Sequence, residues 1–441
     1  MFGSLTLKNF RCYKDLRIEF KNKRGSVKPR IYFYGDNASG KSSLLLSFAF
    51  LRKMNNGLYL NYLLETRDKP KYEHPDITAF DLRQEVKRHY RIFAQENMVL
   101  AYEIVLDGQI FVYEIVFDSY QEIVSESLFK RINNRAIIIF TASPTDFSFG
   151  KGMILTKDIP IIQNLYDTYY GDHTMLSILN FIIERQAVYN IAIKYTLLDV
   201  CMFIRRMHIA VEPYYDHQKH FNFFSDSNLT PFTGTHEPLG KLAFEKAEPI
   251  LSQMLTTLFP NVVEARYSFK HVARELWDYE LKVVKRGIEG NYIIPYSDFP
   301  SGPYDFINKT FALFDALMGS TLIGDDFDLS LHTFLVQHIL RYYMPQLEGQ
   351  TFLTLDKLST MNIVDPASIY ICTADADLTY RVNCIEDIAP TQANHNVRNR
   401  YEQGVYGEIY RPQLLKNDAY FTEFKKWVLE LQRIMYKENL F

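Results

Sequence analysis

The octapeptide Gly35-Asp36-Asn37-Ala38-Ser39-Gly40-Lys41-Ser42 fits the pattern G-x-x-x-x-G-K-[ST] and constrains this chain more than any other feature. Before it runs Ile31-Tyr32-Phe33-Tyr34, a continuous apolar stretch that suits a strand buried on both faces. After it comes the largely apolar stretch 43–54, which reads as a helix. A strand, a glycine-bearing loop and a helix in that order make a phosphate cradle. Backbone N–H groups wrap the phosphate, glycine stands where a Cβ would block its approach, and the helix N-terminus adds positive potential. On this reading residues 35–43, Ser43 included, line a site for ATP, with Lys41 reaching the β/γ-phosphates and the Ser42 hydroxyl holding Mg2+.

Such a loop also calls for a carboxylate at the end of a neighbouring buried strand. Thr321-Leu322-Ile323-Gly324-Asp325-Asp326-Phe327-Asp328 fits, as apolar residues followed by acids. Asp325 is expected to bind the metal through water. Asp326 is expected to polarise the attacking water, which makes Asp326 and Lys41 the candidate catalytic pair. An acidic turn after a core strand would look the same in isolation, and the P-loop upstream favours the metal reading. Lys41 and Asp325 are 284 positions apart, more than a compact GTPase or kinase-type domain interposes.

Between them lie short β runs at 100–106, 109–117, 123–130 and 136–141, read as an antiparallel meander. Asp107-Gly108 has the composition of a two-residue hairpin turn, since both positions tolerate positive φ. Helical spacing follows over 160–212 and 239–258. Strands are expected at 263–269, 279–285 and 292–295, and further on at 320–323, 350–355 and 368–373. Helices are expected at 303–318, 332–343 and 417–437. The expected division is a first ATPase lobe over 1–150, a mostly helical insertion over 151–262 and a second lobe over 263–441. Charges nearly cancel, 49 Lys+Arg against 52 Asp+Glu, so no global field draws the chain to nucleic acid or anionic lipid. Four cysteines without a C-x-x-C pair, and no run of about eighteen apolar residues, lead to the expectation of a reduced, cytoplasmic protein without a membrane partner.

Leu7-Lys8-Asn9-Phe10-Arg11 together with residues 35–42 resembles the N-terminal lobe of the ABC-type ATPases related to RecF, SMC and Rad50 proteins. Three further stretches resemble a narrower, coiled-coil-free branch found in bacterial anti-phage systems, such as the ATPase subunits of PARIS and Septu. They are Ile123-Val124-Ser125-Glu126-Ser127-Leu128, the run from Asp325 to His332, and Tyr401-Glu402-Gln403-Gly404-Val405-Tyr406-Gly407-Glu408-Ile409. The resemblance implies an α/β fold, an ABC-type P-loop head with an N-terminal antiparallel β-subdomain and a helical insertion. It also implies an arginine, Arg11, that approaches bound nucleotide. Ser301-Gly302 stands where a signature would complete the nucleotide site of a facing subunit, so a homo-oligomer, at least a dimer with composite ATP sites, is implied. So are a separate nuclease or toxin effector and a phage-derived trigger. Two departures from the family pattern lead to the expectation of slow hydrolysis. Asp326 replaces the usual glutamate, and the stretch Gln350-Thr351-Phe352-Leu353-Thr354-Leu355-Asp356-Lys357 lacks the usual histidine.

Two rival readings are a RecF-like repair ATPase, which would need a local basic DNA-binding face, and a self-contained nuclease. The second would use Asp375-Ala376-Asp377 as a D-x-D metal site, though acids between two β runs read better as a turn. His217 and His220, at i,i+3 spacing, form at most two-thirds of a metal site.

Overall fold

The structure, a computed structural model, describes residues 1–66, 79–133, 135–211, 232–236, 238–273, 276–295, 298–299, 301–375, 377–392, 395–407 and 418–437. The chain opens with β1 (Phe2–Phe10), β2 (Tyr13–Glu19), β3 (Arg30–Tyr34) and the long helix α1 (Lys41–Thr66). After α2 (Leu82–His89) come β4 (Met98–Leu106), β5 (Gln109–Phe117), β6 (Ile123–Ile132), β7 (Arg135–Ala142) and β8 (Phe147–Phe149). Helices α3 (Ile159–Tyr169), α4 (Met175–Glu184), α5 (Gln186–Tyr189) and α6 (Tyr195–Arg205) lead to β9 (His208–Ala210). Next are β10 (Thr233–His236), α7 (Pro238–Leu258), β11 (Val262–Ala273), β12 (Leu276–Arg286), β13 (Asn291–Pro295) and α8 (Ser301–Leu317). The last part holds β14 (Leu322–Gly324), α9 (Thr333–His338), β15 (Thr351–Thr354), β16 (Ile369–Ala374), β17 (Tyr380–Cys384), α10 (Ile385–Ile388), α11 (Val397–Glu402) and α12 (Asp418–Lys437).

These strands form three sheets. The central one has the order β17-β16-β3-β15-β14-β9, with β16 through β9 parallel and β17 antiparallel at the edge. Its strands alternate between two cores, as a period of two requires. Ile31 and Phe33 of β3 join the core shared with α1, α4, α6 and the seven-stranded antiparallel sheet β2-β1-β4-β5-β6-β7-β8. Tyr32 and Tyr34 join the other core, with α8 and the small antiparallel sheet of β10 to β13. That double burial is why β3 reads as an unbroken apolar run. The chain thus forms the expected α/β P-loop head with an N-terminal antiparallel β-subdomain.

The meander closes as its turn residues demand. Leu106 pairs with Gln109, and Asp107 and Gly108 take φ of 47° and 72°. Two details differ from the sequence reading. The strand carrying Asp325 and Asp326 is not beside β3 but one further out, with β15 between them. And β9, within the stretch read as helical, is the edge strand of the central sheet, because three residues are too few to display a period.

Candidate functional site

The P-loop links the end of β3 to the first turn of α1 through two glycines held at positive φ, Gly35 at +152° and Gly40 at +96°. A Cβ on Gly35 would lie 2.2 Å from the Cys372 carbonyl oxygen, so the loop leaves the sheet only because that atom is missing. Ala38 also has positive φ, 64°, and its side chain is exposed. Ser39 is buried with no partner for its hydroxyl, while Asn37 and Ser42 are exposed. Among the described residues an orphaned hydroxyl inside a glycine-framed loop at a helix N-terminus fits an anion that brings the missing acceptor.

The rim of the loop comes from the antiparallel sheet. Phe10 pairs with Tyr13 around a two-residue turn, Arg11-Cys12. From it the Tyr13 hydroxyl donates to the Gly40 carbonyl at 3.0 Å, and Arg11 Nε donates to Ser43 Oγ at 3.2 Å. Arg11 is therefore brought to the first turn of α1, beside the loop.

Lys41 is 7% exposed and its ammonium is fully engaged. It donates to the carbonyls of Gly35 at 2.7 Å and Asp36 at 3.3 Å, and lies 3.3 Å from the carboxylate of Asp356. Asp356 was not foreseen as a site residue. The signal was present, because Thr351-Phe352-Leu353-Thr354-Leu355-Asp356 is an apolar strand followed by an acid, as in the run ending at Asp325.

The strand between the P-loop and the acids ties them together. Thr354 of β15 donates its hydroxyl to Asp325 Oδ1 at 2.5 Å and accepts from the backbone N–H of Asp326 at 2.7 Å. The Asp325 N–H in turn donates to Ala210 of β9 at 2.8 Å. Asp326 has a φ of 46° and is exposed. Partial burial, followed by the neighbouring carboxylates Asp325 and Asp356, raises its carboxyl above the usual range. A carboxylate so raised is a stronger base for a water proton. Asp328 is 1% exposed and accepts from the backbone N–H groups of Asp356 at 3.1 Å and Lys357 at 2.6 Å. Lys309 of α8 donates to the Leu329 carbonyl at 2.6 Å; burial lowers its ammonium to about 8, against the pull of Asp305 and Asp328.

Ser301 and Gly302 are the first two residues of α8. Gly302 lines a cleft with Ser330, Leu331, His332, Phe334 and His338. Asp375 and Asp377 lie in the turn between β16 and β17. Asp375 pairs with Arg381 at 3.0 Å, and Asp377 accepts from the Thr379 N–H at 3.1 Å, a bond that lowers its carboxyl. Among the described residues no group of three His, Cys, Asp or Glu side chains is placed to hold a metal by itself, and no helix is long and apolar enough to cross a membrane. His217, His220, Ala376, Glu408 and Ile409 lie outside the described residues.

Residues 1–222, half of the chain, match the AAA ATPase domain family, AAA_15. The chain belongs to this family. The matched ATPase domain contains Arg11 and the whole P-loop and ends before Asp325. A search of the curated proteins finds no match. Among solved structures, the SMC head domain from Thermotoga maritima is similar at 11% identity, covering 87% of this chain and 98% of that one with a TM-score of 0.37.

The Lys41–Asp356 pair makes a prediction. A terminal phosphate approaching Lys41 must displace or face a carboxylate that is 53% exposed and can re-solvate. Asp356→Asn keeps the backbone N–H that Asp328 accepts from and removes the competing charge. The variant should bind ATP roughly threefold to tenfold more tightly, measured by equilibrium titration. A weaker affinity would show that the carboxylate assists the nucleotide.

Proposed function

We propose that this chain binds ATP with Mg2+ at the carboxyl edge of the central sheet, hydrolyses it slowly, and serves as the sensor or scaffold subunit of an anti-phage defence complex. In that complex it holds a separate nuclease or toxin in check until a phage-derived product alters the assembly. The nucleotide part is carried by one observation, the convergence of the P-loop, Lys41, Asp325, Asp326 and Asp356 on one edge, bridged by Thr354. The donor set suits Mg2+, which takes few protein ligands and keeps phosphate oxygens and waters around it. Ser42 and Asp325, whose Oδ2 makes no bond to Thr354, would hold it, and when bound it supplies charge neutralisation at the β/γ-phosphates. Lys41 binds the phosphates, Arg11 closes the rim, and Asp326 accepts a proton from the attacking water. Asp326 is one methylene shorter than the family's glutamate, and a catalytic group about 1 Å out of place is compatible with a rate near a hundredfold lower.

The defence role rests on the resemblance of residues 123–128, 325–332 and 401–409 to the coiled-coil-free branch. The near-zero charge balance argues against a RecF-like DNA-binding face. The local pairing of Asp375 and Asp377 argues against a nuclease site there.

The assembly is testable at Gly302. A Cβ there would meet nothing closer than the Ser330 carbonyl oxygen at 3.9 Å, so a side chain can start from this position without a backbone clash. A facing subunit's phosphates would collide with it. ATP should therefore promote dimers or larger oligomers in analytical ultracentrifugation, and Gly302→Glu should abolish that shift while leaving ATP binding to the monomer in place. Association that ignores both nucleotide and Gly302→Glu would refute the composite site.

A further inference from the structure

The turn that carries Asp326 holds two residues in left-handed backbone, Asp326 at a φ of 46° and Ser330 at 63°, and neither is glycine. Such conformations persist only where the surroundings over-determine the chain. Part of the anchoring comes from the turn itself and the neighbouring strand. The Asp326 N–H donates to Thr354 Oγ1 at 2.7 Å, and the Leu329 N–H closes the turn onto the Asp326 carbonyl at 2.9 Å. The Asp328 carboxylate accepts from the Asp356 N–H at 3.1 Å.

A further anchor comes from α8. Lys309 Nζ donates to the Leu329 carbonyl at 2.6 Å and stands 5.7 Å from the centre of the buried Phe327 ring. The Leu329 side chain is 61% exposed, so packing does little to fix this residue and its backbone bonds must hold it. The root of the lysine is firm, because Phe306, Ile307 and Leu313 of α8 are buried in one core with Leu322 and Phe327. Gly302, at the start of the same helix, faces the next carbonyl along, since a Cβ on it would lie 3.9 Å from the Ser330 oxygen. The helix thus lies against two successive carbonyls of the turn and bonds one of them.

Resting on the hydrolytic reading above, we infer that Lys309 is a positioning residue for Asp326: by holding the Leu329 carbonyl it fixes the backbone that aims the Asp326 carboxylate at the attacking water. It acts through the main chain. Without its donor the Leu329 peptide is free to turn, and the Asp326 carbonyl, bonded to the N–H of the same residue, moves with it. A shift of about 1 Å in the group that takes the water's proton slows the reaction without changing how the phosphates are bound. Hydrolysis then depends on how α8 is seated, and α8 begins with Ser301 and Gly302, the residues a facing subunit's nucleotide would meet.

Lys309→Met tests this, since it keeps a long apolar stem beside Phe327 and removes the donor. With the full-length chain, Mg2+ and ATP, steady-state phosphate release should slow roughly tenfold, while the affinity for a fluorescent ATP analogue stays within about twofold. Lys309→Arg, which can still donate to a carbonyl, should restore most of the rate. In an Asp326→Asn background Lys309→Met should cost no more than about a further twofold, because both act through one group. Should a thermal melt show that Lys309→Met does not fold, Lys309→Gln, polar and one atom too short to reach, takes its place with the same expectations. An unchanged rate, a matching loss of ATP affinity, no rescue by arginine, or full additivity with Asp326→Asn would each overturn the inference. A rate untouched by Asp326→Asn, or no hydrolysis by the unsubstituted chain, would instead overturn the reading of Asp326, and this one with it.

Discussion

Lys41→Ala should weaken ATP binding by about a hundredfold or more, a loss of about 2.7 kcal/mol, while leaving the chain folded. The first half follows from the position of the ammonium, which closes the loop around the space a phosphate would fill, with the carbonyls of Gly35 and Asp36 as its present partners. The second half follows from what the substitution leaves behind. Asp356 is 53% exposed and returns to water, and Lys41 lies at the start of α1, where alanine is a good helix former. A thermal melt beside the titration separates the two effects. A folded variant whose affinity stays within about twofold of the unsubstituted chain, roughly 0.4 kcal/mol, would remove the lysine from the phosphate site.

The largest loss of stability is expected at Glu126, a residue of β6 that is 1% exposed. Its carboxylate accepts from the backbone N–H groups of Met175 at 2.7 Å and Leu176 at 2.9 Å, and from the Tyr113 hydroxyl at 3.0 Å. Met175 and Leu176 open α4, whose N-cap Thr174 accepts from Ser177 N–H at 3.1 Å. Two residues thus satisfy three of the four N–H groups that a helix start leaves unpaired. Glu126→Ala strands three buried donors and should lower the unfolding free energy by on the order of 3–5 kcal/mol, measured by chemical denaturation.

The pH dependence carries its own sign. Burial is the largest influence on Glu126 and, against its three donors, pushes the carboxyl up from 4.5 to about 7. The folded state therefore keeps a proton that the unfolded state gives up near 4.5. The resulting contribution, about 3 kcal/mol, is fully present below about 4.5 and is lost as the pH rises through about 7. The gap in stability between the unsubstituted chain and Glu126→Ala should be widest near pH 5 and narrow toward pH 8. A gap that widens over that range would mean that the donors outweigh burial and the carboxylate is ionised throughout.

Where local chemistry dictates local structure, the sequence was readable. The run Ile31-Tyr32-Phe33-Tyr34, the glycines at 35 and 40 and the apolar start of α1 fall where their pattern puts them, and Asp107-Gly108 turns the hairpin because both residues accept positive φ. The order of strands across the sheet was not readable. β15 inserts between β3 and β14 through contacts that no short stretch of sequence encodes. Asp356 carries no local mark of its role, because its pairing with Lys41 needs residues 315 positions apart to meet. In the sequence Glu126 stands out only within the stretch 123–128 that carries the resemblance. Its hydrogen bonds to the start of α4 join β6 to a helix some fifty residues downstream, and periodicity carries no trace of such a cap.

The Asp328 carboxylate makes one mechanical part out of two loops. It belongs to the turn after β14, but its donors are the backbone N–H groups of Asp356 and Lys357 in the turn after β15, and the Lys357 ammonium also reaches back to the Asp328 carbonyl. Moving one turn without the other would strip a buried anion of its donors, a step of several kcal/mol. The two turns therefore travel together. One end of this part touches the Lys41 ammonium, and the other continues into Ser330 and His332 on the wall of the cleft beside Gly302. A displacement of the Asp356 end would therefore carry the Ser330 end with it, since both hang on the same buried carboxylate.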